Sequence, residues 1–250
     1  MRPVITLLTD FGTADGYVAE MKGVLLSRVP DVTLVDVTHE VAPQDVEAAR
    51  LTLARVWRRF PPGTVHVVVV DPGVGTERAG LAVESDEHFF VGPDNGVLSP
   101  ALLVAGARAV TLPVPYGASA SFHGRDIFAP AAAAIALGTA IDSLGEPAVE
   151  PLIRRTPEPQ RRDDGALAGE VISIDRFGNA ITNLVGLRSG IVEAAGATLP
   201  LRRTYGDVPT GAPVALVGST GLIEVAVRDG NAARALHLTK GSVVLFRAGP

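Results

Sequence analysis

Two hydrophobic patterns take turns along the first part of the chain. Short, largely apolar runs occur at residues 4–9, 32–37 and 65–70. They are rich in β-branched side chains, and such runs predict strands buried on both faces, as in a parallel sheet. Between them, apolar positions recur at helical spacing. Residues 17–28 align Val18, Met21 and Leu25 with Val29, and residues 44–60 turn Val46, Ala49, Leu53, Val56, Trp57 and Phe60 inward. Pro43 suits the first turn of that second helix, and Pro61-Pro62-Gly63 stops it. The order β-α-β-α-β predicts an α/β domain with a mostly parallel sheet flanked by helices and joined by right-handed crossovers.

Further on, residues 80–84 and 88–91 read as a hairpin, followed by a turn-rich loop at 92–96 that feeds a short helix. A strand is predicted at 109–112 and a helix at 125–137. From residue 147 to 165, prolines, arginines and aspartates replace the apolar period, which reads as a linker. The pattern beyond is mostly β, with strands predicted at 170–175, 180–185, 213–217, 222–227 and 242–246. Strands clustered after a βαβ half predict a smaller all-β domain, either a barrel or a sandwich. The expected division is therefore an α/β domain over 1–150, a linker over 151–167 and a β domain over 168–250.

Composition narrows the classes of function. The chain has 250 residues, a formal charge of −5 and no cysteine. Its pI is near 5.5, which argues against a nucleic-acid surface. The absence of cysteine excludes disulfides, thiolate metal sites and cysteine nucleophiles. The N-terminal apolar run meets Asp10 too soon for a signal peptide. The Ala-rich run at 129–140 contains Pro130 and is too short to span a bilayer. A soluble, cytoplasmic protein without membrane or nucleic-acid partners is expected.

The segment VVVVDPGVGTER, residues 67–78, carries the clearest chemical signal. Its valine run ends in Asp71, and ligands of open α/β sheets bind at the carboxyl ends of strands. Asp10 ends the first strand in the same way. The two acids either face one crevice or cap the elements that follow them. The turn Pro72-Gly73-Val74-Gly75 lacks the Lys-Ser/Thr of a P-loop and the spacing of a dinucleotide fingerprint, so no phosphate site is predicted. Among the histidines, His66, His88 and His237 read as structural, and His39 has no evident partner. His123 differs, lying between Phe122 and Gly124 on a loop before a helix, where sites tend to be built. No HxxxH or HExxH spacing exists, which argues against a metal. Asp175-Arg176-Phe177-Gly178-Asn179 is either a hairpin turn or a set of contacts for a planar base or ribose diol. Ser219-Thr220-Gly221 and Gly230-Asn231-Ala232-Ala233 are turns or ligand loops. No GxSxG elbow supports a serine hydrolase.

Seven motifs in order resemble one family: TDFGTADGYVAEMKG, DVTHEVAPQDVEAA, VVVDPGVGTER, VGPDNGVL, FHGRDIFAPAAA, ISIDRFGNAITNL and STGLIEVAV with the later GNAA. They are similar to the S-adenosylmethionine (SAM) hydrolases, or SAM hydroxide adenosyltransferases, relatives of the fluorinases and chlorinases. The resemblance implies an N-terminal α/β domain, a C-terminal β-barrel and a homotrimer with active sites between subunits. The implied reaction turns SAM and water into adenosine and methionine, with no metal or other cofactor. By resemblance, Asp71, Arg78 and His123 activate the water, with Asp71 and His123 accepting or relaying its proton. Asp10 holds the ribose, and Phe122 and Phe177 wall the nucleoside. Asp175 takes the methionine ammonium, Asn179 touches adenine, and Ser219 meets the methionine carboxylate. Glu224, Asn231 and Ala233 fall in the stretch lining the adenine pocket. Thr220 follows Ser219 where the halogenases carry Arg. The halogenases also have Tyr where Asp71 stands and lack the His. A carboxylate there repels halide, so water is the expected nucleophile. The alternatives are a SAM-dependent halogenase and a non-catalytic SAM or adenosine sensor.

Overall fold

In the computed structural model, which describes residues 2–186 and 189–249, the chain divides into two compact units, Met1–Arg155 and Thr156–Pro250. Among the described residues, no helix is long and apolar enough to cross a membrane.

The first unit opens as the apolar pattern predicts: β1 (Val4–Thr9), α1 (Tyr17–Arg28), β2 (Thr33–Thr38), α2 (Val46–Val56) and β3 (Val65–Val69). The second helix begins later than expected. Gln44 has a positive φ of 68°, and Asp45 is the N-cap, its carboxylate accepting the Ala48 N–H at 2.9 Å. Then come β4 (Gly80–Ser85), β5 (His88–Pro93), the short helix α3 (Ser99–Leu102) and β6 (Arg108–Leu112). A π-helical turn at Gly124–Phe128 leads into α4 (Ala129–Ala136), and β7 (Glu146–Pro147) closes the unit. The strands form one sheet in the order β2-β1-β3-β5-β4-β6-β7. Valines alternate along β3 and just beyond it. Val65, Val67 and Val69 pack toward α1 and α4, while Val68 and Val70 pack toward α2 and α3. Burying an apolar side chain on either face contributes about 1.5–3 kcal/mol, which is why this run carries no polar position except His66.

The sheet corrects one expectation: it is mixed, not mostly parallel. The pairings β1–β2, β1–β3 and β3–β5 are parallel, whereas β5–β4, β4–β6 and β6–β7 are antiparallel. The correction matters for the site. Because β4 runs against β3, its first residues lie at the sheet edge where β3 ends. The chain can therefore leave β3 at Asp71 and re-enter the sheet at Gly80 without crossing it.

The second unit begins with β8 (Gln160–Arg161) and continues with β9 (Leu167–Ile174), β10 (Ala180–Val185), β11 (Gly190–Ala194), β12 (Ala197–Arg202), β13 (Pro213–Val217), β14 (Leu222–Val227), the short helix α5 (Ala232–Ala235) and β15 (Val243–Ala248). The order β10-β14-β13-β12-β11-β15-β9 returns on itself through a β9–β10 pairing, so these strands close a ring. Closure removes sheet edges. Val171, Leu184, Val192, Ile223, Val225, Val244 and Phe246 fill the interior. Strands β11 and β12 were not predicted. Their alternation is diluted by Gly190, Pro200 and several alanines, and their pairing supplies what the local pattern does not.

Candidate active site

The register of the first sheet sets the geometry of one group of residues. Thr9 lies opposite Val69, so the chain leaves β1 at Asp10 and β3 at Asp71 from the same edge. Both flanks of the loop after β3 are pinned by the GPDN turn. Asn95 Nδ2 donates to the Val70 carbonyl at 2.9 Å, and the Asp94 N–H donates to the Ala79 carbonyl at 2.8 Å. Between these anchors, Gly75 adopts φ +79°, and a Cβ on it would stand 2.5 Å from the Ala120 carbonyl oxygen. Glycine is what lets this loop lean on the segment just before His123.

Asp71, Arg78 and His123 meet there. The side chains of Asp71 and Arg78 are 5% and 9% exposed, and His123 is 5% exposed. The guanidinium grips the carboxylate with two donors: Arg78 Nε reaches Asp71 Oδ1 at 3.0 Å, and Nη2 bonds Asp71 Oδ2. Arg78 Nη2 also lies 3.0 Å from His123 Nδ1, while Nη1 donates to the Ala79 carbonyl at 2.8 Å. This arrangement determines the imidazole's proton. Arginine has donors only, so His123 Nδ1 must accept, and in the neutral ring the proton sits on Nε2. Burial, and then the charge of Arg78, hold the His123 pKa below its ordinary value. In that state the ring presents a donor at Nε2, and the carboxylate oxygens of Asp71 are the acceptors of the group. Burial pushes the Asp71 pKa up, against the opposing pull of Arg78. A carboxylate with a raised pKa is a stronger base near neutrality.

Asp10 and Phe122 border this group. Asp10 Oδ2 accepts the Gln44 N–H at 2.7 Å. Behind it, Thr9 Oγ1 lies 2.8 Å from His39 Nδ1, His39 Nε2 lies 3.0 Å from Asp36 Oδ1, and Lys22 Nζ donates to Asp36 Oδ2 at 2.6 Å. His39 therefore has a partner in Thr9 that its sequence neighbours did not reveal. Phe122 is buried and joins Phe11 and Tyr17 at centroid distances of 5.9 and 5.3 Å. His66 is structural, as predicted: Thr6 Oγ1 is 2.8 Å from its Nδ1, and burial drives its pKa down to about 3.

The predicted residues of the second unit form their own assembly. Asp175 organises the turn between β9 and β10. Its Oδ1 accepts the N–H groups of Phe177 and Asn179 at 2.9 Å each, and its Oδ2 accepts from Asn179 Nδ2 at 2.9 Å. Gly178, at φ +87°, makes room for the Asn231 side chain, and the Ala233 N–H donates to the Gly178 carbonyl at 2.9 Å. Asn231 also caps α5 through the Arg234 N–H at 2.8 Å. Asp175, Asn179, Asn231 and Ala233 are thus brought together, and Phe177 stands 73% exposed at the tip of their turn. Glu224 is buried on β14, with its carboxylate against Gly218, the neighbour of exposed Ser219.

Domain models of the SAM hydroxide adenosyltransferases match both units, the N-terminal domain over residues 5–145 and the C-terminal domain over residues 169–245. The chain belongs to the SAM hydroxide adenosyltransferase family. An (R)-S-adenosyl-L-methionine hydrolase from Thermus thermophilus is 46% identical to it, over 98% of this chain and 99% of its own. A fluorinase from Nocardia brasiliensis is 29% identical, over 99% of this chain and 98% of its own. A solved structure of an uncharacterized conserved protein from Thermotoga maritima superposes with a TM-score of 0.88 at 32% identity, covering 97% of this chain and 99% of that one.

Several residues beside the predicted ones had no strong local signal. Tyr205 donates its phenol to Glu224 Oε2 at 2.9 Å. Burial, then Glu224, raises its pKa to about 12, and the charge of Asp175 also acts on it. Its only sequence cue is the capping box of Thr204 and Asp207, which marks a turn and not a ligand. Asn95, Phe11 and Tyr17 lay inside recognised motifs, but only tertiary contacts show what they touch.

Proposed function

We propose that this chain hydrolyses SAM to adenosine and methionine by in-line attack of water on C5′. The observation that carries the reading is the buried Asp71–Arg78–His123 group, with a base of raised pKa beside a neutral imidazole that donates. The sulfonium makes C5′ electrophilic, and its thioether departs neutral, so the leaving group needs neither a general acid nor a metal. What remains is to hold one water in line and take its proton. Asp71 accepts the proton, His123 Nε2–H orients the water oxygen, and Arg78 keeps both in their working states. Positioning can supply roughly 7–11 kcal/mol of the barrier. A carboxylate at this point repels halide, which supports water over chloride as the nucleophile. The contacts read by resemblance support the binding half of the proposal: Asp10 for the ribose, Phe122 and Phe177 for the nucleoside walls, Asp175 and Ser219 for methionine, and Asn179, Glu224, Asn231 and Ala233 for adenine.

The test is incubation with SAM in ¹⁸O-labelled water. Label in the adenosine 5′-hydroxyl is expected. Adenosine without label, or bound SAM that never turns over, would sink the reading, the second outcome favouring a sensor. We also propose assembly as a homotrimer, a reading supported by the largely exposed ring of Phe177, which a ligand or a neighbouring chain would cover. Analytical ultracentrifugation should give the mass of three chains, and a one-chain mass would exclude it.

A further inference from the structure

We propose that Asp126 is a positioning residue for this reaction, pinning the segment that carries His123 against the loop that carries Asp71 and Arg78. The proposal rests on the reading of those three residues as the water-handling group. Asp126 lies within the π-helical turn that follows His123. Its Oδ2 accepts the Ser119 N–H at 2.8 Å, closing a short loop that contains Ala120, Phe122 and His123. Arg125 grips the same carboxylate, from Nε to Oδ1 at 2.7 Å and from Nη2 to Oδ2 at 3.0 Å. Its Nη1 then reaches Glu20 on α1 at 2.7 Å, and its guanidinium lies 5.1 Å from the Phe122 ring centroid. The clamp therefore ties three pieces of chain together around Phe122 and His123.

Two further contacts give the clamp its consequence. The Ala120 carbonyl, inside the clamped loop, is the group that Gly75 approaches too closely for any side chain. The Arg78–His123 bond of 3.0 Å spans the same two segments. Both contacts require that the 119–123 backbone stay where Asp126 holds it. An ordinary surface ion pair would contribute little. Here the carboxylate also satisfies a backbone N–H, and it does so across a turn whose π-helical form departs from the regular helix. Such turns concentrate at functional sites. Hydrogen bonding to Arg125 keeps the Asp126 pKa below the usual carboxylate range, so the clamp stays charged through neutral pH.

The experiment compares Asp126→Ala and Asp126→Asn with the wild type in two readouts. In SAM turnover, Asp126→Ala should lower kcat roughly 10- to 100-fold with little change in KM. Asp126→Asn keeps an oxygen for Ser119 and should recover most of the loss. In ¹⁵N spectra of the His123 ring, which need no turnover, the wild type should show the Nε2–H tautomer and Asp126→Ala a mixture. A lower melting temperature with unchanged kcat and an unchanged tautomer would overturn the proposal, leaving Asp126 a structural residue only. An inert wild type would instead overturn the hydrolase reading, and the ring spectra would still decide the role of Asp126. Should the alanine variant fail to fold, Asp126→Asn and Ser119 amide exchange carry the test: protection equal to wild type with impaired kcat would also overturn it.

Discussion

Asp71→Ala is expected to release adenosine from SAM about 10²- to 10⁴-fold more slowly than the wild type. The size follows from what the group has to spare. Arg78 contributes only donors, and His123 Nδ1 is occupied by one of them. No other member of the group can accept a proton from water while those bonds hold. The loss should fall on kcat, because a base acts on the nucleophile and not on the bound nucleoside. Asp71→Asn makes the stricter comparison. It keeps the shape and one oxygen for Arg78 but has no base of useful strength, and it should be nearly as slow. Adenosine release by Asp71→Ala equal to the wild type would remove Asp71 from the reaction.

Arg78→Met is expected to impair the enzyme in a pH-dependent way. Methionine keeps an apolar stem beside Phe128 and removes every donor. Arg78 favours the ionised form of Asp71, so its removal should raise the Asp71 pKa further. Activity requires ionised Asp71, and the acid limb of the kcat profile should therefore move to higher pH, with part of the lost rate returning as pH rises. His123 would also lose the donor that holds its proton on Nε2, so the rate at high pH should remain below wild type. Removing one partner of a buried pair costs about 3–5 kcal/mol, and melting curves should be recorded so that rates refer to folded protein. Arg78→Lys separates the two effects. It supplies charge without the planar fork, so the acid limb should return toward its place while kcat stays low. An acid limb unmoved in Arg78→Met would refute the electrostatic role given to Arg78.

The stability linkage of Asp71 points the same way. Its folded pKa lies above the unfolded value, because burial outweighs Arg78. Stability from this group is present below the unfolded pKa and is lost as pH rises through the folded one. Ionised Asp71 thus costs stability at neutral pH, and the fold tolerates that cost at a position where a base of raised pKa is useful.

Much of the molecule was legible in the order of its residues. The valine runs and the helical spacing of Met21, Leu25, Ala49 and Leu53 determined the first strands and helices, because burial on two faces and burial on one stripe leave different periods. They also determined that Asp10 and Asp71 each end a strand, while the β1–β3 pairing made those strands neighbours. The resemblance carried by the ordered motifs is what joined Arg78 and His123 to Asp71. The hairpin of β4 and β5 was legible, but tertiary structure alone decided that β5 joins β3 in parallel and that β4 joins β6 antiparallel, since a short apolar strand carries no mark of a distant partner's direction. It alone closed the ring through β9 and β10, built β11 and β12 from weakly patterned residues, and set Tyr205 on Glu224. The same holds for the imidazole of His123. A histidine's tautomer depends on which group faces each nitrogen, and Arg78, 45 residues away in the chain, faces Nδ1 only because the loop after β3 and the turn before α4 fold against each other.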